Sequence, residues 1–369
     1  MRIGLMFART RAFGRRFCEG VASLIDEHPD WELVMLEPDD LKDTRKLHTL
    51  DALITHVMDD ETDRRLDALK IPIVKDYYFR AKDSITDHDS IGRLAAEHFI
   101  ARGFTHFAFC GYNGVFFSDA REAAFKKYLS SICNLSLVTC NSYNTPPKAL
   151  RGFSERVILR EELTPRAVDH RELVRWLKRL PLPCAVFCCH DLRAQQVLTA
   201  AKELGLRVPE DLAILGVDND VLICNFTSPR LSSIDNNGYE CGRAVFKSIE
   251  TPPKGIVERD STRVFTYEPK WLNDALSFIH QHLAENISAA DVFKAVNLSH
   301  TVVTRTFNKV LGTTVQAEIA RLRLEKAQRL LSGTNLTIGE IAALSGFASI
   351  RYFSQAYKAA FHHAPSTHR

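Results

Sequence analysis

The chain has 369 residues, 45% of them hydrophobic and 25% charged, and a formal net charge of +3 at pH 7. These are the proportions of an ordinary folded protein long enough for two or three domains of about 100–200 residues, which excludes a disordered tail or a fibre. No run of about 18 uninterrupted apolar residues occurs, so no membrane span is expected. The first apolar stretch, Ile3–Ala8, is interrupted by Arg9 and Arg11 before it reaches the length of a secretory signal, and a cytoplasmic location is expected. The nine cysteines all lie before residue 242 at irregular spacing, which fits no disulfide framework. Cys184, Cys188, Cys189 and His190 read as a buried strand rather than a metal site, because free cysteine behaves as a small hydrophobe. No metal or cofactor is expected.

In chain order, the candidate strands are Arg2–Phe7, Trp31–Leu36, Ala52–Val57, Ile71–Lys75, Thr105–Gly111, Cys184–Cys189, Leu212–Val217 and Leu231–Ile234. Helical patterns such as Ser90–Ala101 and Leu192–Leu204 separate them. Nearly continuous apolar strands alternating with helices predict parallel sheets covered on both faces, a doubly wound α/β arrangement. The number of units predicts two lobes rather than one sheet. The polar, Arg-rich stretch 141–170 with Pro146-Pro147 reads as a crossover between lobes, or as an insertion over the cleft.

Open α/β sheets bind ligands beyond the carboxyl ends of their strands. In this sequence Asp76 follows Ile71–Lys75, His190 and Asp191 follow Cys184–Cys189, and Asp218 follows Leu212–Val217. Asp235 and Asn236 follow Leu231–Ile234, and Arg121 opens the helix after Thr105–Gly111. Carboxylates, amides and a guanidinium are the groups that hydrogen-bond the vicinal hydroxyls of a monosaccharide. Aspartate is also favoured as a helix N-cap. For Asp191 the two readings stand level, whereas Arg121 and Asp218 read first as ligand groups.

Two stretches carry a likeness. Asp87–His98 (DHDSIGRLAAEH) and Val208–Asp218 (VPEDLAILGVD) resemble the effector domain of LacI-type repressors, which shares its fold with periplasmic sugar-binding proteins. The resemblance covers most of residues 1–268 and implies that Arg121, His190, Asp218 and Asn236 face a ligand. The usual Asn of that family stands here as His190 and its usual Gln as Asn236. The first strand begins at residue 2, so no helix-turn-helix is expected ahead of it.

The last 99 residues carry 10 Lys/Arg against 6 Asp/Glu, a net +4 on a body of −1, which suggests a polyanion partner. Beyond Pro269 the pattern is helical throughout. Trp271, Ala275, Phe278, Ile279 and Leu283 share one face. Ala289–Ala295, the turn Val296-Asn297-Leu298 and His300–Leu311, capped by Ser299 and closed by Gly312, form one helix-turn-helix. About 49 residues later Ile338–Leu344, the turn Ser345-Gly346-Phe347 and Ser349–Phe361 form a second, opened by the capping box Thr337/Glu340. The uninterrupted helix Thr314–Leu331 between them spans roughly 27 Å. That strut would let two recognition helices reach successive major grooves of one DNA face, about 34 Å apart.

Gly346-Phe347-Ala348-Ser349, Tyr352-Phe353-Ser354, Ala356-Tyr357-Lys358 and Arg321–Ala327 (RLRLEKA) closely resemble the signature of AraC/XylS-type activators. The expected architecture is a two-lobed α/β periplasmic-binding-protein-like (LacI-type) sensor domain, 1–268, followed by an all-α AraC-type DNA-binding domain, 269–369. His300, Thr301, Thr304 and Arg305 of the first recognition helix, and Ser349, Ile350, Arg351 and Gln355 of the second, are the expected DNA contacts. Arg305 and Arg351 are the best candidates for reading guanine. The combined resemblance implies a nucleoid-associated, sugar-responsive activator of a pentose operon, with D-xylose as effector, double-stranded DNA and RNA polymerase as partners, and a homodimer. A free cytoplasmic carbohydrate-binding protein and a regulator of another small molecule remain open alternatives. No GxxxxGK[ST], HExxH or GxSxG motif occurs, and no enzyme is expected.

Overall fold

A computed structural model describes all residues except 8–10, 38–39, 41–43, 58–59, 78–84, 113–114, 133–138, 146–166, 248–249, 334–335 and 369. The chain divides into two compact units, Met1–Arg263 and Val264–Arg369. The division falls five residues before the boundary read from the sequence, because Phe265 and Tyr267 pack into the core of the helical unit.

The first unit is built on two sheets. The smaller is parallel, in the order β2-β1-β3-β4, from β1 (Arg2–Met6), β2 (Glu32–Met35), β3 (Ala52–Val57) and β4 (Ile73–Tyr77). Helices α1 (Ala12–Ala22), α2 (Thr44–Leu47) and α3 (Asp60–Asp67) connect these strands. Ile3 and Leu5 join Phe17 and Val21 of α1 on one face, while Met6 and Leu53 join Leu36, Leu47 and Leu66 on the other. Burial on both faces is why these strands are nearly unbroken apolar runs.

The larger sheet runs β10-β9-β8-β7-β5-β6. Its parallel strands are β5 (His106–Tyr112), β6 (Thr139–Thr145), β7 (Cys184–Cys188), β8 (Leu212–Val217) and β9 (Ser232–Asp235), and β10 (Gly255–Val257) adds antiparallel to β9. Helices α4 (His88–Ile100), α5 (Phe116–Ile132), α6 (Ala167–Leu177), α7 (Asp191–Glu203) and α8 (Val221–Phe226) accompany it. Cys184 and Cys188 are fully buried strand residues, and Cys110 lies opposite Cys188 in register. From the 141–170 stretch, residues 141–145 belong to β6; residues 146–166 lie outside the described residues.

After β9 the chain returns to the smaller lobe as α9 (Gly238–Ala244), which packs tightly against α1. Two glycines permit this approach. A Cβ on Gly20 would run into the Tyr239 carbonyl oxygen, and one on Gly242 into the Phe17 carbonyl oxygen. The lobes are also joined by charge, since Arg15 of α1 pairs with Asp220 at 3.1 Å and Arg16 with Asp235 at 2.9 Å.

The second unit contains α10 (Trp271–Gln281), α11 (Ala289–Ala295), α12 (His300–Thr306, continued by a wider turn to Leu311), α13 (Val315–Gly333), α14 (Ile338–Leu344) and α15 (Ile350–Phe361). Gly312 ends the first recognition helix at φ 66°, a left-handed conformation that favours glycine. Helix α13 belongs to two cores. Val315, Ile319 and Leu322 pack with α10–α12, whereas Ala327 and Leu331 pack with Ile341, Phe353 and Tyr357 of the second pair. Arg323 ties the halves by donating to the Glu285 carbonyl at 2.7 Å and to the Leu283 carbonyl at 3.3 Å.

Candidate functional site

The strand ends of the larger sheet converge on a buried polar cluster. Arg121, 4% exposed, projects from α5; it donates to the Cys189 carbonyl and lies 3.9 Å from the Asp218 carboxylate. Its guanidinium sits over the Phe117 ring, 5.1 Å from the centroid. Asp218 has a backbone φ of 102°, a strained position for a residue with a Cβ, and its carboxylate accepts from the Asn236 amide at 2.8 Å. Strain of this kind persists where the surrounding structure enforces it, and here it aims the carboxylate toward Arg121. Burial pushes the Asp218 carboxyl up, while Arg121, His190 and Arg11 pull it back.

His190 caps α7, its Nδ1 accepting from the Arg193 backbone N–H at 3.0 Å. That bond leaves the ring proton on Nε2, so the neutral imidazole is a donor on its far side. Its ring is flanked by Tyr112 at 5.5 Å and Phe117 at 5.9 Å. Burial, with help from Arg11 and Arg121, holds the imidazole down to a pKa of about 3. A group neutral when folded but protonated when unfolded costs stability as pH falls below its unfolded value of about 6.5. A His190→Asn variant lacks this term. The stability difference between it and the parent should shift in the variant's favour on acidification from pH 6.5 toward 3, by up to about 1.4 kcal/mol per pH unit in paired denaturant titrations. Asp191, whose carboxyl burial pushes up, contributes the opposite slope to both proteins, and Asp218, which His190 no longer pulls down in the variant, adds to the shift in the variant's favour.

Asp191 is placed differently from the other cluster residues. Its Oδ1 accepts from Ser233 Oγ at 2.6 Å, and its Oδ2 accepts from the Asp220 backbone N–H at 2.7 Å and from Cys224 Sγ at 3.5 Å. Both oxygens thus join α7 to the ends of β8 and β9, and the cap of α7 is His190. The sequence left cap and ligand level for Asp191, and the geometry gives it a framework role. Asp76 lies at the end of β4, paired in register with His56, but its side chain is outside the described residues.

Two cluster members carried no functional signal in the sequence. His88, the first residue of α4, packs edge-on against Phe116 at 5.5 Å, and burial and Arg121 hold its pKa well down. It lies inside the Asp87–His98 motif, which could have pointed to it. Tyr112 ends an apolar strand and reads as core, yet its ring abuts His190. Arg11, at the start of α1, acts on His190, Asp218 and Tyr112 together, which brings a cation of the smaller lobe to this cluster. Neutral donors, a carboxylate, an amide and aromatic faces together suit a compact polyhydroxylated ligand.

In the helical unit, His300, Thr301 and Arg305 are exposed on α12 and Thr304 is half-buried, while Val303 and Phe307 point into the core. The His300 ring leans edge-on against Phe293 at 5.0 Å. On α15, Ile350, Arg351 and Gln355 are exposed, and Phe353 and Tyr357 are buried. Ser349 is the N-cap, its hydroxyl accepting from the Tyr352 N–H at 3.2 Å. Val302 and Tyr352 are also exposed, apolar or aromatic residues on outward faces that sequence reasoning passed over. The capping box is present: the Thr337 backbone N–H donates to Glu340 Oε2 at 2.7 Å, and the Glu340 N–H to Thr337 Oγ1 at 3.3 Å.

Comparison with known proteins matches both halves. A periplasmic binding protein-like domain is matched over residues 96–262 and a helix-turn-helix domain over residues 292–369. The full chain is 26% identical to the xylose operon regulatory protein of Escherichia coli (strain K12), covering 96% of it. It is 24% identical to the protein of the same description from Haemophilus influenzae, covering 98%. The solved structure of a xylose-binding transcription activator aligns over the whole chain and 97% of its own, at 25% identity and a TM-score of 0.57. A dimeric Lac repressor aligns over 71% of this chain and 99% of its own, at 18% identity and a TM-score of 0.51, a likeness of fold. The two-lobed sensor body, the paired helix-turn-helix units and these full-length similarities together make the chain a member of the AraC/XylS-type transcriptional regulators that carry a LacI-type sensor domain.

Proposed function

We propose that the protein is a cytoplasmic, D-xylose-responsive activator of a pentose-utilisation operon, working as a homodimer that engages RNA polymerase. The observation that carries the sugar half is the Arg121–Asp218–Asn236 constellation at the strand ends. It offers a carboxylate and a cation to vicinal hydroxyls beside the Phe117 ring. The choice of D-xylose rests on the full-length similarity to xylose operon regulators. His190 and Asn236 supply further polar contacts in this reading, with Asp76 at the neighbouring strand end. For the homodimer, α8 offers an apolar face, since Leu222 and Phe226 lie one turn apart and Phe226 is 81% exposed.

On DNA, Arg305 and Arg351 read base edges, and His300, Thr301, Thr304, Ser349, Ile350 and Gln355 complete the two contact surfaces. The strut α13, about 28 Å long by its 19 residues, sets their spacing. Sugar binding closes the lobes and changes how the DNA-binding units are presented, a coupling of about 1–3 kcal/mol.

A thermal melt against pentoses and hexoses, paired with promoter footprinting, tests the proposal. At about 100 times its dissociation constant, D-xylose should stabilise the sensor by about 2.7 kcal/mol, a shift of several degrees. Footprinting should show two protected half-sites. Arg305→Ala and Arg351→Ala should each weaken binding by about 1–3 kcal/mol and relax sequence preference in one half-site only. A shift with another sugar alone changes the operon assigned, and no shift with any sugar ends the sugar reading.

A further inference from the structure

Tyr112 stands at the carboxyl end of β5, where open α/β sheets receive ligands, and is 5% exposed. Its backbone is fixed, because the N–H donates to Ser118 Oγ at 2.8 Å. Its ring is fixed as well, with the Arg193 guanidinium 4.9 Å from its centroid and the His190 ring at 5.5 Å. Yet its buried hydroxyl has no hydrogen-bond partner among the described residues. A buried hydroxyl left in this state is costly, and native structures retain few of them without a use. Asn236, 2% exposed, repeats the pattern. Its amide nitrogen is given to Asp218, and its Oδ1 has no partner among the described residues. Both groups lie in the cluster that Arg11, Arg121 and His190 share.

We infer that Tyr112 is a specificity-determining residue of the sensor: its hydroxyl bonds one particular hydroxyl of an uncharged, polyhydroxylated ligand, and the open Asn236 Oδ1 accepts from another. This rests on the sugar-sensing reading above and adds to it a residue that the family resemblance does not supply. The phenol stays protonated because burial pushes its pKa up, so it can donate as well as accept. The packed ring holds the hydroxyl in one place, so it discriminates between sugars by the position of a single hydroxyl. A site built around a hydrogen bond rejects the analogue that lacks it.

The experiment is calorimetric titration of the full-length parent and Tyr112→Phe with D-xylose and its 2-, 3- and 4-deoxy analogues, with thermal melts without sugar as the folding control. The variant should bind D-xylose about 2- to 10-fold more weakly, the range of one neutral hydrogen bond. One deoxy analogue should bind parent and variant alike, and the sugar-free variant should melt no lower than the parent. Equal D-xylose affinity for parent and variant would overturn the inference while leaving the sugar reading intact. A lower melting temperature of the sugar-free variant would overturn it too, by revealing an internal partner for the hydroxyl. Failure of the parent itself to bind any of the four would remove the D-xylose reading; the same titration with whichever sugar shifts the melt then decides, and no binding of any sugar would overturn the inference together with the sugar reading.

Discussion

Asp218→Asn should weaken sugar binding by about 100-fold or more and leave DNA binding without sugar unchanged. The carboxylate lies where three influences meet: the Asn236 amide at 2.8 Å, Arg121 at 3.9 Å, and the field of His190 and Arg11. Hydrogen bonds to a charged group contribute about 1.5–3 kcal/mol each, and a carboxylate that holds two sugar hydroxyls forfeits about 3 kcal/mol or more on becoming an amide. Asparagine is the right substitute because it tolerates the φ of 102° better than alanine, so the backbone strain is kept and only the charge is lost. Calorimetry of the purified protein, with footprinting in parallel, separates the two effects. An unchanged sugar affinity would show that the ligand is held elsewhere.

Gly20→Ala should lower the melting temperature of the sensor unit by about 6–12 °C without touching either binding surface. The added methyl would meet the Tyr239 carbonyl oxygen, a backbone atom of α9 that cannot rotate away. On the opposite helix, Gly242 meets the Phe17 carbonyl in the same manner, so the α1–α9 contact is close on both sides. Forcing extra volume into a packed contact costs about 1–3 kcal/mol, with the upper end expected against backbone. For domains of this size each kcal/mol lowers the midpoint by roughly 2–4 °C. Differential scanning calorimetry of the whole chain makes the comparison, and a sensor transition at the parent's temperature would refute the packing argument.

Much of the architecture could be read from apolar periodicity, and the gaps have physical causes. The eight strands read from the sequence correspond to β1–β5 and β7–β9, because each places aliphatic or aromatic residues against a core, fully buried in the inner strands and half-buried in the edge strands β2 and β4. Strand β6 (TCNSYNT) was missed because it is polar and lies at the sheet edge, where only one neighbour is needed. Strand β10 is three residues long, too short for any periodic signal. In the helical unit the glycine and capping-box signals fell at the right residues because helix ends are decided locally, by Thr337, Glu340, Ser349 and Gly312.

The cleft was legible only where a polar residue interrupts a strand end. Asp218, Asn236 and His190 stand out in this way and converge in space with Arg121 of α5. Asp191 has the same sequence signature but turns to Ser233 and Asp220, a choice made by tertiary packing that no local pattern encodes. Tyr112 was invisible for the opposite reason. Its hydrophobic ring continues the strand pattern, and only the lack of a hydrogen-bond partner for its hydroxyl among the described residues sets it apart.

The two arginines that join α1 to Asp220 and Asp235 bear on how much sugar the regulator needs before it answers. The pairs at 3.1 and 2.9 Å link the lobes through groups outside the Arg121–Asp218–Asn236 cluster, so in the proposed switch they favour closure independently of sugar. When only a fraction of molecules is competent to bind, the apparent dissociation constant is the intrinsic one divided by that fraction. Each 1.4 kcal/mol of pre-closure, roughly, therefore moves the response threshold tenfold toward lower sugar. Because Asp220 and Asp235 are largely buried, salt screens these pairs only weakly, and their effect on the set-point holds across ionic strength. On the proposed reading, two residues outside the Arg121–Asp218–Asn236 cluster thus help fix the concentration at which the switch responds.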